Sequence, residues 1–298
     1  MQTKLAIAIL SILFTVALPT PSWAETVIEK VVRTGVLTAG TRKDARPFGY
    51  INEDEEWVGY SLDMLALIRE QLEKELGKKI TLELVEVEVA NRIPRVVERK
   101  VDLVCGSTSF TWEREKAVDF SIPYFLAGTQ LLVKKGSSLG SVESLKGKRI
   151  GAIPETTNEQ LIKRLQPQAI LVPVKNRAEG FSALEQDQID AFAWDGILLE
   201  GLRQIIPNPD DFAVVPEEPY DRAPYACMVP EDNSKFRELV NYSIAKFMQG
   251  FILNDRKYVT LFDRWFGSTG LIPLNRDQVL FHFRNILDYT EQIPKSEL

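Results

Sequence analysis

The alternation of strand-like and helix-like runs constrains this chain more than any other feature. "VLTAG" at 36–40 is a short apolar run. From Leu62, the residues Leu65, Ile68, Leu72 and Leu76 follow at spacings of three and four, the period of one helix face. Ser61 is the expected N-cap and Gly77 the expected stop. "KITLELVEVEV" at 79–89 is rich in β-branched residues and mostly alternates, as a strand does. "NRIPRVVERK" at 91–100 opens on Asn91 as a cap and reads as a short helix, and "VDLVCG" at 101–106 reads as the next strand. This order predicts an α/β unit with parallel connections.

The same order then recurs. "KRIGAI" at 148–153, "AILVPV" at 169–174, "IDAFAWD" at 189–195 and "FAVVP" at 212–216 read as strands. The runs starting near Thr156 and Thr157, at Asn176 and at Gly196 read as the helices between them. The C-terminal part is helical at 234–248 and again at 258–267.

The N-terminus stands outside this pattern. Lys4 is followed by an uncharged apolar run at 5–18, and Ser22-Trp23-Ala24 supplies small residues at a cleavage site. This is the layout of a secretory signal peptide, residues 1–24, cut after Ala24. The apolar run is short for a membrane-spanning helix. The expected mature protein is exported and soluble. The net charge of −6 argues against nucleic acid as a partner, because phosphate contacts need a basic surface.

Cys105 and Cys227 are the two cysteines. In an oxidising compartment an even pair suggests a disulfide; two buried thiols are the alternative. If they are joined, the chain after about residue 225 returns to the first unit. The units are then 25–130 plus 225–298 and 131–224, with two crossings near 128–134 and 219–225. A double crossing makes a hinge, and a cleft between lobes is a preferred ligand site.

Chemistry gathers at strand ends. Ser107 and Ser109 follow "VDLVC", and Arg114 comes a few residues later. A guanidinium fits a carboxylate through two parallel hydrogen bonds. Thr156 and Thr157 stand at a helix start, where free N–H groups favour an anion. Asp195 ends an apolar strand and offers a partner for an ammonium. Together they describe a receptor for a zwitterion. Each has a plainer role: turn former for the serines, surface charge for Arg114, N-cap for the threonines and for Asp195.

At these residues the chain resembles the bacterial extracellular amino-acid-binding proteins, family 3, and in particular their glutamate/aspartate-binding branch. The segments that carry the resemblance are "GTRKDARPFGY", "NRIPRVVERKVDLVCGST", "DFSIPYF", "KGKRIGA", "AFAWDGILL" and "YACMV". The resemblance implies a type II periplasmic-binding-protein fold, with two lobes closing over one amino acid. It implies delivery of that amino acid to an ABC permease, a periplasmic location and a monomer. It assigns Arg114 to the ligand α-carboxylate and Asp195 to the α-ammonium, with Ser107, Ser109, Thr156 and Thr157 beside them. Arg42 and Arg92 match arginines that face the ligand side chain, and Arg177 stands where that branch has a histidine. The cysteines fall where the branch has its pair, which implies the disulfide. Phe110 and Trp112 depart from its more polar pattern.

Surplus positive charge favours an acidic ligand. Glutamate or aspartate is therefore expected, with glutamine, asparagine or another neutral amino acid as the alternative. The plainer readings are a solvated loop charge for Arg42 and a surface pair with Glu88 for Arg92. Rivals from other classes are a cyclic amino acid dehydratase-like enzyme and a ligand sensor on the same fold. Against an enzyme, the one histidine, His282, lies outside these motifs, and the sequence has no HExxH, GxSxG or phosphate loop. No catalytic residue, cofactor or metal is expected.

Overall fold

A computed structural model describes residues 25–288 and 293–298. The signal-peptide reading at 1–24 lies outside the described residues. Two five-stranded sheets form the frame of a two-lobed molecule. In the first, the strands Thr81–Glu86, Val36–Thr41, Leu103–Val104, Met228–Val229 and Asp119–Phe120 stand in that spatial order. Val36–Thr41 is parallel to both of its neighbours, and Met228–Val229 enters antiparallel. In the second, the order is Ile170–Pro173, Arg149–Ala152, Ala191–Asp195, Thr129–Lys134 and Phe212–Val215. Its first three strands are parallel, and Thr129–Lys134 runs against both of its neighbours. Every residue of Ala191–Asp195 is buried, as expected of a central strand covered on both faces.

The helices form for local reasons. Val27–Thr34 begins with a capping box between Thr26 and Glu29 and ends at Gly35 in the left-handed region. The helix Tyr60–Leu76 has Gly59 at the N-cap position, two residues ahead of the expected Ser61 cap. Ser61 is buried instead, its hydroxyl 2.9 Å from that of Tyr124. Leu65, Ile68 and Leu72 are buried along the same helix face, and Gly77 closes it in the left-handed region. Among the described residues no helix is long and apolar enough to cross a membrane.

The chain passes between the sheets on two short strands that pair with each other, Phe125–Ala127 and Ala223–Tyr225. The first crossing therefore precedes the expected 128–134 segment. That segment is occupied by Thr129–Lys134, which pairs within the second sheet because it continues as a long buried strand. Cys105 and Cys227 form a disulfide with a sequence separation of 122 residues. It fastens the end of Leu103–Val104 to the start of Met228–Val229, so the returning chain is tied covalently into the first sheet. Phe48, Phe125, Tyr225 and Phe266 pack ring to ring beneath the crossing.

Candidate functional site

The site sits where strands end. Arg42 follows Val36–Thr41, Arg92 opens the helix after Thr81–Glu86, and Ser107 to Ser109 follow Leu103–Val104. From the second sheet, Arg177 opens the helix after Ile170–Pro173, and Asp195 ends its own strand. Both sets lie at carboxyl ends of parallel strands, the usual place for a ligand in open α/β sheets.

Arg92 is buried and donates Nη1 to the Ser107 carbonyl at 3.0 Å. Its guanidinium makes no ion pair with Glu88 among the described residues, and its burial rules out the plainer surface reading. Burial pushes its pKa down to about 9, and the nearby charges of Arg114 and Arg42 push the same way. Arg114 lies in a one-turn helix, Arg114–Lys116, and donates Nη1 to the Ser109 carbonyl at 2.7 Å. The serines thus hold the two guanidiniums through backbone oxygens, whereas the sequence pointed to their hydroxyls. Burial also lowers the Arg114 pKa, and Asp195 opposes that shift.

Asp195 occupies the N-cap position of Gly196–Arg203, yet its side chain makes no capping bond. It turns inward. Tyr225 donates its hydroxyl to Oδ2, and Asn158 donates Nδ2 to Oδ1 at 2.9 Å. The same Asn158 group donates to the Thr129 hydroxyl at 3.0 Å. Burial pushes the Asp195 carboxyl up. The hydrogen bonds from Tyr225 and Asn158 recover part of that shift, and the balance stays above the ordinary carboxylate range.

Thr156 serves as a cap. Its hydroxyl accepts from the Glu159 N–H at 3.3 Å and donates to the Ile153 carbonyl at 2.6 Å. Thr157 is the first residue of that helix and only partly buried. Among the described residues, the bonds of the Thr156 hydroxyl go to Ile153 and Glu159, not to the arginine cluster. Arg42 is not a solvated loop charge: it is buried against Asp44. Arg177 is buried as well, and its pKa falls to about 10 through burial, with Asp44 opposing and Arg42 reinforcing the fall.

The sequence reading missed Asp44, Asn158, Tyr225 and Thr108. Tyr225 stands in "YACMV", two residues before Cys227, and no local pattern marks its hydroxyl. Four atoms here are buried without a hydrogen-bond partner among the described residues: Arg42 Nη1, Arg92 Nε, Arg177 Nε and Thr108 Oγ1. Buried donors are normally satisfied, so this end of the cleft has capacity for an acceptor. Trp112 is 79% exposed and packs edge-on against Phe110. Asp119 is held by Arg237 at 3.1 Å.

The lobes touch directly. A Cβ on Gly201, in the helix Gly196–Arg203, would sit 2.2 Å from the Arg46 carbonyl oxygen of the other lobe. Only glycine allows that approach. Gln204 Nε2 also crosses to the Leu271 carbonyl at 2.6 Å.

Residues 37–268 match the sequence pattern of a known family, the bacterial extracellular solute-binding proteins, family 3. Over 248 residues the chain is 31% identical to the glutamate/aspartate import solute-binding protein of Escherichia coli (strain K12), covering 82% of this chain and 80% of that one. It is 33% identical over 231 residues to an ABC transporter glutamine-binding protein of Bacillus subtilis (strain 168), covering 77% and 80%. Among solved structures, an ancestral arginine-binding protein bound to glutamine superposes with a TM-score of 0.69 at 30% identity, covering 78% of this chain and 99% of that one. With the match running through both sheets, the chain belongs to the bacterial extracellular solute-binding proteins, family 3.

Proposed function

We propose that this protein is the exported substrate-binding component of an ABC importer and captures glutamate or aspartate by closure of its two lobes. The lobes that go with this reading are residues 25–130 plus 225–298 and residues 131–224. Arg114 takes the α-carboxylate and Asp195 the α-ammonium, one from each lobe. Arg42, Arg92 and Arg177 face the ligand side chain. Contacts from both lobes favour the closed state, and a permease in the inner membrane reads that closure. The protein acts as a periplasmic monomer and returns its ligand unchanged.

The observation that carries the acidic ligand is the state of Arg92. It is a buried guanidinium with no carboxylate within ion-pair distance among the described residues, flanked by Arg42 and Arg114. Burying an unpaired charge is costly. A second ligand carboxylate relieves both its desolvation and the repulsion among the guanidiniums. The cleft sets four guanidiniums (Arg42, Arg92, Arg114 and Arg177) against two carboxylates, Asp44 and Asp195. The match to a glutamate/aspartate import protein supports the same class.

A second reading, glutamine or asparagine, has support from Asp44, which already brings a carboxylate to Arg42 and Arg177. A thermal-shift panel separates the two. The protein is refolded to strip bound ligand and melted with each of the common amino acids. A ligand that binds only the native state raises Tm by mass action. The largest shifts are expected with glutamate or aspartate. Shifts with glutamine or asparagine alone would overturn the acidic assignment, and no shift with any amino acid would overturn the class.

A further inference from the structure

One contact across the cleft involves neither Arg114 nor Asp195. Asp44 lies in the short hairpin strand Asp44–Ala45 of the first lobe. Its carboxylate is shared between lobes. Arg42 donates Nε to Oδ1 and Nη2 to Oδ2, each at 2.7 Å. Arg177 Nη2, from the other lobe, lies 3.3 Å from Oδ2. The Asp44 side chain is 42% exposed, whereas those of Arg42 and Arg177 are 8% and 5% exposed. A rim carboxylate thus roofs two buried guanidiniums. Burial pushes the Asp44 carboxyl up, but the charges of Arg177 and Arg42 and the hydrogen bond from Arg42 outweigh it and hold it below its ordinary range. It is therefore a fixed negative charge at neutral pH.

Among the described residues, Arg42 Nη1 and Arg177 Nε are buried without a hydrogen-bond partner. This end of the cleft therefore offers cationic donors and an anion side by side. A ligand carboxylate seated on either guanidinium meets attraction from the arginine and repulsion from Asp44. A carboxamide in the same place gives its carbonyl to a guanidinium and an N–H to Asp44. Like charges placed together are a common means of discriminating between ligands. We propose that Asp44 is a specificity-determining residue, one that lowers the preference for glutamate over glutamine by presenting a fixed carboxylate to the ligand side chain. This inference rests on the amino-acid-binding reading above.

The test is titration calorimetry of the refolded wild type, Asp44→Asn and Asp44→Glu with glutamate and with glutamine. Asp44→Asn is expected to raise the glutamate-to-glutamine affinity ratio by about tenfold or more, because a near neighbour of like charge is removed. Asp44→Glu keeps the charge and is expected to leave the ratio within about threefold of wild type. A latch that merely holds the lobes together would move both affinities alike, so an unchanged ratio in Asp44→Asn overturns the proposal. A ratio shifted equally by Asp44→Glu overturns it too. Retained glutamine binding in Asp44→Asn reports that the variant is folded. A wild type that binds neither amino acid refutes the amino-acid reading itself, an outcome distinct from a binding wild type whose ratio Asp44→Asn leaves unmoved.

Discussion

Replacing Asp195 by asparagine separates binding from stability. The change keeps the side chain's shape and removes its charge. Asp195 is 4% exposed, so its interactions are little screened by solvent. A charge-assisted hydrogen bond to a buried group is worth about 1.5–3 kcal/mol net. Loss of the ammonium's partner therefore weakens amino-acid binding by roughly 10- to 150-fold. Stability should move the other way or not at all. The folded carboxyl has its pKa raised, so its charged form at neutral pH disfavours the native state relative to the unfolded chain. That contribution favours folding at low pH and is lost as pH rises through the folded pKa. Asparagine never carries the charge, so the unliganded variant should melt no lower than wild type at neutral pH. Calorimetry for affinity and a thermal melt for stability, both on refolded protein, read the two effects. Affinity within threefold of wild type, at the approximate precision of such values, would place the ammonium's partner elsewhere. A large fall in melting temperature would instead make Asp195 a structural anchor.

Other outcomes follow from the same geometry. Affinity should decline on acidification as Asp195 takes up a proton, starting at a higher pH than an exposed aspartate would give because its pKa is raised; Asp195→Asn should lack this decline in a pH series of dissociation constants. Arg92→Met should lower glutamate affinity by about 100-fold while leaving the unliganded melting temperature unchanged or higher, since a buried unpaired cation is removed. A fall in stability without loss of affinity would refute that role. Gly201→Ala should weaken all ligands alike, by tenfold or so, because its methyl would strike the Arg46 carbonyl across the closed cleft. A change in ligand selectivity would contradict this. Converting both Cys105 and Cys227 to alanine should cost about 2–5 kcal/mol in a denaturant melt, because the bridge spans 122 residues of sequence.

The sequence read well where chemistry is local. The alternation of runs revealed both α/β units, and Asp195 stood out as a charge at a strand end, while the family resemblance pointed to Arg42, Arg92 and Arg177. Strand lengths were overread. "KITLELVEVEV" suggests a strand over 79–89, but pairing covers only Thr81–Glu86, because its partner Val36–Thr41 has six residues to offer. The "VDLVCG" strand shrinks to Leu103–Val104, whose parallel register meets only Ala39 and Gly40. The helix Arg276–Leu287 escaped notice; Val279, Phe283 and Leu287 are its buried residues, while Phe281 on it is exposed. Within the site, the partners of Asp195 lie 30 and 37 residues away in sequence, a relation that no local pattern records. Asp44 misled for the opposite reason. It is a near neighbour of Arg42 in sequence, but the fold brings Arg177 of the other lobe to its other side.

The most direct measurement is a crystal structure of the refolded protein grown with glutamate. The expected result is one glutamate between the lobes. Its α-carboxylate should lie on Arg114, its ammonium on Asp195, and its side-chain carboxylate within hydrogen-bond reach of Arg92 or Arg42. A glutamate bound outside this cluster, or held there with its carboxylates away from the arginines, would contradict the proposed function.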